Sequence, residues 1–190
     1  VQSLLSQREF PLWEPRIGCG TPLFAESEAG IFHPTILLFF TNNLTWATNL
    51  TVLSAILLAM LGSYFWCRCL GLEALPSGAA ALTYGLAAVF LGQTQALNII
   101  HISALLPVSL ALIYLGVTKK TKLVWFGLIT VWTLQLLASH FETFAICQIC
   151  CWFYILWLTF SDTKKSMPKH KIIILSLLSL LFTVLLGSVQ

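Results

Sequence analysis

From Thr45 to Leu186 the chain strings together apolar runs, and short gaps between them hold the charged residues of that stretch. A segment that crosses hydrocarbon must satisfy its own backbone hydrogen bonds, so it is helical and needs roughly 17 to 25 mostly apolar residues. That template predicts six spans, at 45–67, 75–92, 99–117, 123–138, 143–160 and 172–188. The expected fold is all-α: a polytopic transmembrane helix bundle over 45–190, preceded by a loop segment over 1–44. Charged residues are only 9% of the chain and mean hydropathy is +0.88, far from the roughly 25% charged fraction of soluble domains. The net charge of +3 lies in patches flanking apolar runs, the pattern of loops facing anionic headgroups. Membrane lipids are therefore the expected surroundings, and nucleic acid is excluded as a partner.

Within the spans, Ser77, Gly78, Ala79, Ala80, Ala81, Gly85, Ala87 and Ala88 make the second helix rich in small residues. Small residues let backbones approach where no hydrophobic effect drives association, which places this helix in the bundle interior. Pro107 interrupts the third span and predicts a kink whose freed carbonyl is satisfied by a neighbour. Trp125, Trp152 and Trp157 lie toward span ends as interfacial anchors, whereas Trp132 is mid-span and packs. Cys67, Cys69, Cys147, Cys150 and Cys151 read as buried free thiols, since Cys147-x-x-Cys150 lacks the strand-turn-helix setting of a redox motif; Cys19 has no evident partner. The apolar piece from Thr35 to Phe40 is too short to span. It follows His33-Pro34, and Pro is tolerated in a first helical turn, so a short interfacial helix is expected there.

Orientation follows from the cations. Arg68, then Lys119, Lys120 and Lys122, then Lys164, Lys165, Lys169 and Lys171 fall after the first, third and fifth spans, and these are eight of the ten cations. The other side has only Arg8 and Arg16, so the first set is assigned to the cytoplasm. Residues 1–44 and the 93–98 and 139–143 loops then lie outside, with Glu9, Glu14, Glu26, Glu28, Glu142, His33, His101 and His140. Any chemistry is expected on that face.

The outer segment reads Phe10-Pro-Leu-Trp-Glu-Pro-Arg-Ile-Gly-Cys-Gly-Thr-Pro-Leu-Phe-Ala-Glu-Ser-Glu-Ala-Gly-Ile-Phe-His33-Pro34 before its apolar run. It resembles the first extracytoplasmic loop of the bacterial YfhO family, in which a Pro-Leu-Trp-Asn-Pro element, a Gly-rich turn ending in Pro-Phe and a Tyr-Pro or His-Pro helix start follow in this order. Arg68-Cys-Leu-Gly-Leu and Leu136-Leu-Ala-Ser-His140 are similar to further family features. Glu14 stands for the usual Asn, Arg16 for an aromatic residue and Arg8 for a Gly. The resemblance implies a GT-C-like glycosyltransferase that takes a sugar from a polyprenyl-phosphate donor to a cell-envelope glycopolymer or lipid, at the outer face of a bacterial cytoplasmic membrane. In such enzymes the catalytic carboxylate lies just after a first span. Val1 and Gln190 both fall inside running patterns, so the chain is expected to be an internal piece that lacks that first span and a C-terminal part.

Glycosyl transfer needs a carboxylate near the acceptor hydroxyl and cationic or metal-bound groups near the departing phosphate. Glu26 and Glu28, two apart ahead of the His33-Pro34 helix start, are candidates for base or metal ligand; the plainer alternative is a pair of solvated loop acids. His140 and Glu142 at the junction of the fourth and fifth spans are catalytic candidates, against the alternative of exposed loop residues. A His-x-Glu pair has no further ligands in sequence, so any divalent metal is left unassigned. His33, His101 and Arg16 are candidates to bind the donor phosphate. Trp13 between prolines, with Gly18 and Gly20, reads as structure, and the Asn43 and Asn49 sequons matter only in a secretory host. Two rival readings remain: a transporter or flippase for a lipid-linked glycan, and a non-catalytic membrane assembly protein. The cation split predicts that a membrane-impermeant thiol reagent applied from outside modifies a cysteine placed at Ser27 and spares one at Ser166; the reverse pattern would overturn the orientation and the outer-face site with it.

Overall fold

The computed structural model describes residues 20, 30, 32–41, 43–119, 121–161 and 168–188. Among them the chain is helical throughout, without strands: a 3₁₀ helix Pro34–Phe40, then α1 (Leu44–Cys69), α2 (Ala74–Gly85), α3 (Ala88–Gly92), α4 (Leu97–Thr118), α5 (Lys122–Leu137), α6 (Phe141–Phe160) and α7 (Lys169–Gly187). Five stretches are long and apolar enough to cross a membrane, with α2 and α3 forming one interrupted run, Ala74–Gly92. By this criterion the chain is a multi-pass membrane protein. The fourth expected span, 123–138, is shorter: its apolar part is Leu123–Leu137, about 22 Å of helix against a hydrocarbon core of roughly 30 Å. It still runs from the end of α4, where the Thr121 amide donates to Lys119 O at 2.8 Å, back to the start of α4, where Ala138 shares a cavity with Leu97 and Asn98.

Local chemistry sets the helix ends. Asn43 Oδ1 accepts from the Trp46 amide at 3.0 Å and starts α1, as N-cap side chains do. Its other end closes on Gly71 with φ 90°: the Leu72 amide donates to Cys67 O at 3.2 Å and the Gly71 amide to Arg68 O at 3.1 Å. This paired 6→1 and 5→2 closure satisfies the last carbonyls and favours glycine at the left-handed position.

Burial is the reverse of a soluble bundle. On α1 the buried Ala47, Thr51, Ala55, Ala59, Ser63 and Cys67 recur four residues apart, with Gly62 buried beside them, while Leu53, Leu57 and Leu61 are exposed. On α7 Ser176, Ser179, Thr183 and Gly187 are buried, while Leu181, Phe182 and Leu185 are exposed. Lipid is as apolar as leucine, so what helices gain by pairing is close backbone approach, and small residues mark the contact. Gly62 shows how close: a Cβ there would meet Val108 Cγ2 at 2.8 Å.

Two packing expectations change. The second span lies at the periphery, with 22% of its window buried, and the interior helix is α4 with 56%. Ser77, Ala81 and Gly85 do bury a stripe of α2, which packs on α1. One such stripe seats a helix against one neighbour, whereas α4 packs on α1, α5 and α6. Trp125 is no interfacial anchor. It is buried and its indole lies where a Cβ on Gly116 would come within 3.0 Å. Trp132 is fully buried as expected, and Trp157 is exposed. The thiols of Cys67, Cys69, Cys147, Cys150 and Cys151 are all free; Cys150 is exposed, Cys69 half-buried, and the other three are buried.

Pro107 sits inside a continuous α4. A proline has no N–H for the carbonyl four residues earlier, here Ser103 O. The Tyr84 hydroxyl of α2 donates to that oxygen at 2.7 Å, so a neighbouring helix supplies the missing donor. Tyr84→Phe should therefore destabilise the bundle by about 0.6 kcal/mol and at most about 1.7 kcal/mol. In a Pro107→Ala background, where residue 107 regains its N–H, the same change should cost less. Denaturation in mixed micelles of the four members of this cycle measures the coupling, and equal cost in both backgrounds would show that Tyr84 does not serve the Pro107 gap.

Candidate functional site

Three segments meet at one end of the bundle around a cavity of about 530 Å³ whose lining includes His33, Gln95, Asn98, His101, Ala138 and His140. Each arrives by a local device. Gly30, with φ 55°, lies 3.7 Å from Ala138 O and 3.9 Å from Leu137 O, measured from where its Cβ would stand; the turn that follows closes with the His33 amide donating to Gly30 O at 3.0 Å. His33 then caps the 3₁₀ helix. At the other junction Ser139 adopts φ 65°, a left-handed conformation uncommon outside glycine. It reverses the chain after α5, where the Ser139 amide donates to Leu136 O at 3.0 Å, and delivers His140 as the N-cap of α6. His101 enters from the first turns of α4 and is buried.

The two capping histidines are built alike. His33 Nδ1 accepts from the Thr35 amide at 3.4 Å and lies 2.7 Å from Thr35 Oγ1. His140 Nδ1 accepts from the Thr143 amide at 3.3 Å and lies 2.8 Å from Thr143 Oγ1. An Nδ1 that accepts from a backbone N–H leaves the ring's N–H on Nε2. Both rings are thereby set as Nε2–H donors rather than bases. The His33 and His101 rings have centroids 5.1 Å apart at 48°. His101 Nε2 is buried and has no hydrogen-bond partner among the described residues. Burial holds the His33 imidazole below its ordinary value, because desolvation disfavours the charged form.

Of the candidates named from sequence, His33, His101 and His140 are brought together. Glu142 is not: it is exposed in the first turn of α6, where the helix dipole favours an acid, and it does not line the cavity. Arg16, Glu26 and Glu28 lie outside the described residues. Among the described residues no three His, Cys, Asp or Glu side chains come together to hold a metal ion, and no carboxylate lines the cavity. Sequence reasoning missed Gln95 and Asn98 in the lining, and Thr35 and Thr143 as partners of the capping rings. The signal was present in part, as a Thr two or three residues after a His at a helix start. Also missed was Gln135, fully buried, whose Nε2 donates to the carbonyl of Ile102 at 2.9 Å, next to His101.

Beside this cavity a groove of about 690 Å³ runs from Asn49, Thr94 and Gln95 down to Val52, Leu53 and Ile56. Gln95 and Leu97 line both spaces, so a polar chamber adjoins an apolar groove in the flank of the bundle.

The neutral His33 sets a pH dependence. The undocked segment takes up a proton near pH 6.5, the ordinary value for histidine, while the docked ring resists it beside His101 and with His140 across the cavity. Docking of 32–41 is therefore complete above about pH 6.5 and weakens as pH falls below it. Hydrogen exchange of these residues, corrected for the intrinsic pH dependence, should rise between pH 7.5 and 5.5 in the native protein. His33→Asn, which keeps a capping acceptor and cannot titrate, should flatten that rise; an equal rise in both would assign it to another group. Comparison with protein-family models, with curated proteins and with solved structures finds no match for this chain.

Proposed function

We propose that this chain belongs to a GT-C-like membrane glycosyltransferase of the YfhO type, with six crossings, that moves a sugar from a polyprenyl-phosphate donor to a cell-envelope glycopolymer or lipid at the outer face of a bacterial cytoplasmic membrane. The observation that carries the reading is the meeting of His33, His101 and His140 in a cavity that adjoins a lipid-side groove through Gln95 and Leu97. An amphiphilic donor needs both a polar chamber for phosphate and sugar and an apolar path for its chain. The bond from the sugar's anomeric carbon to the phosphate oxygen breaks, a bond to the acceptor oxygen forms, and the acceptor's proton passes to a base. Nε2–H donors on His33 and His140 suit the phosphate oxygens on which charge develops, with Arg16 as a further cation. The base falls to Glu26 or Glu28, or to a carboxylate that precedes this segment in the family.

A transporter of a lipid-linked glycan is favoured by one feature, the interruption of the second span between Gly85 and Ala88, since broken helices mark many transporter sites. The two readings separate in proteoliposomes: a transferase forms acceptor-linked sugar, a flippase only relocates the lipid. In the intact protein His101→Ala and His140→Ala should each lower glycan modification roughly 10- to 100-fold at matched protein level, with Glu142→Ala close to the parent. Full modification in both histidine variants would remove the cavity from the mechanism.

A further inference from the structure

At the opposite end of the bundle a second pocket, about 630 Å³, opens between the C-terminal turns of α1 and α4; Phe65, Arg68, Cys69, Tyr114, Leu115 and Lys119 line it. It holds no part of the histidine cavity and the proposed transfer does not use it. From its geometry we infer that it binds the phosphate of an anionic phospholipid. Arg68 and Lys119 come from different helices onto one wall, and neither pairs with a carboxylate among the described residues. The Arg68 guanidinium donates once, to Leu72 O at 2.8 Å, so most of its five N–H donors remain for a ligand. The adjacent α1 carbonyls do not compete for those donors, because the amides of Gly71 and Leu72 already close them.

The apolar side of the pocket selects a lipid over a soluble phosphate. Phe65 is exposed and Leu115 half-buried on the membrane-facing flank, where they offer a seat for acyl chains below the headgroup. Arg68 is the penultimate residue of α1 and Lys119 follows directly on α4, so both cations sit at headgroup depth. Sequence adds that this is the cation-rich side, the face on which anionic lipids gather and draw basic groups.

Native mass spectrometry of the full chain, extracted with equal phosphatidylglycerol and phosphatidylcholine, tests this. The parent should retain phosphatidylglycerol in preference. Lys119→Gln, whose side chain makes no hydrogen bond among the described residues, should lower that retention roughly fivefold, and Arg68→Gln combined with it roughly 25-fold. Lys119→Arg should keep it, and Lys171→Gln, a cation of the same face outside the pocket, should leave it unchanged. Unchanged retention in Lys119→Gln, or an equal loss in Lys171→Gln, would reduce the effect to diffuse surface charge and overturn the site. Displacement of the lipid by excess glycerol phosphate would assign the pocket to a soluble phosphate ester and overturn the lipid assignment.

Discussion

A backbone carbonyl left without a donor in hydrocarbon costs several kcal/mol, and the hydrogen bond from Tyr84 to Ser103 O at 2.7 Å is where this bundle meets that constraint most directly. Pro107 places its defect in the middle of α4, the helix on which α1, α5 and α6 all pack. By closing the gap from α2, Tyr84 ties the second span to the third, which the small-residue stripe of α2 does not reach. The start of α4 carries His101 and Asn98 into the cavity. A disturbed α4 would therefore move one wall of the candidate site against the other two.

The same economy of polar groups runs through the other contacts. Buried hydroxyls mostly bond back to their own helix: Thr51 to Ala47 O at 2.8 Å, Ser176 to Ile172 O at 2.8 Å and Thr183 to Ser179 O at 2.9 Å. They are satisfied before any neighbour arrives, so they thin the contact surface without committing to a partner. Among the described residues specificity falls to the few bonds that cross between helices: one from Trp66 Nε1 to the Tyr154 hydroxyl at 3.5 Å, and the pair from Tyr84 to Ser103 and from Gln135 to Ile102. Both of these end on α4 close to His101.

What the sequence made legible follows from this division. Span positions rest on total apolarity, which any burial pattern preserves, so 45–67 and 99–117 fall within the helices Leu44–Cys69 and Leu97–Thr118. The need for a donor near Pro107 and the helix start at His33-Pro34 were likewise readable, because each is a local backbone rule. The helix that occupies the interior was not. Small residues occur at the interface of peripheral α2 as well as central α4, and composition does not count how many sides of a helix are covered. Trp125 escaped for a related reason: its place on Gly116 depends on how α4 packs against α5, which the position of a tryptophan near a span end does not reveal. At the site, three histidines from distant segments were legible as a group only through the shared face of their loops, whereas the Nε2–H tautomers needed the Thr35 and Thr143 amides in place.

The two ends of the bundle can meet phosphate by different physics. At the proposed lipid pocket Arg68 and Lys119 would act through charge, an attraction that falls with ionic strength. The other end holds the His33 and His140 rings by their own capping bonds, so it offers directed N–H donors. In the proposed transfer, which also gives Arg16 to the phosphate, directed donors would favour product release more than a cradle built from charge alone, which would stabilise the ground state along with the transition state. A structural lipid has no such requirement. If both proposals hold, the Arg68–Lys119 pocket would retain a lipid phosphate, while the histidine cavity would exchange its phosphate ligand at each turnover.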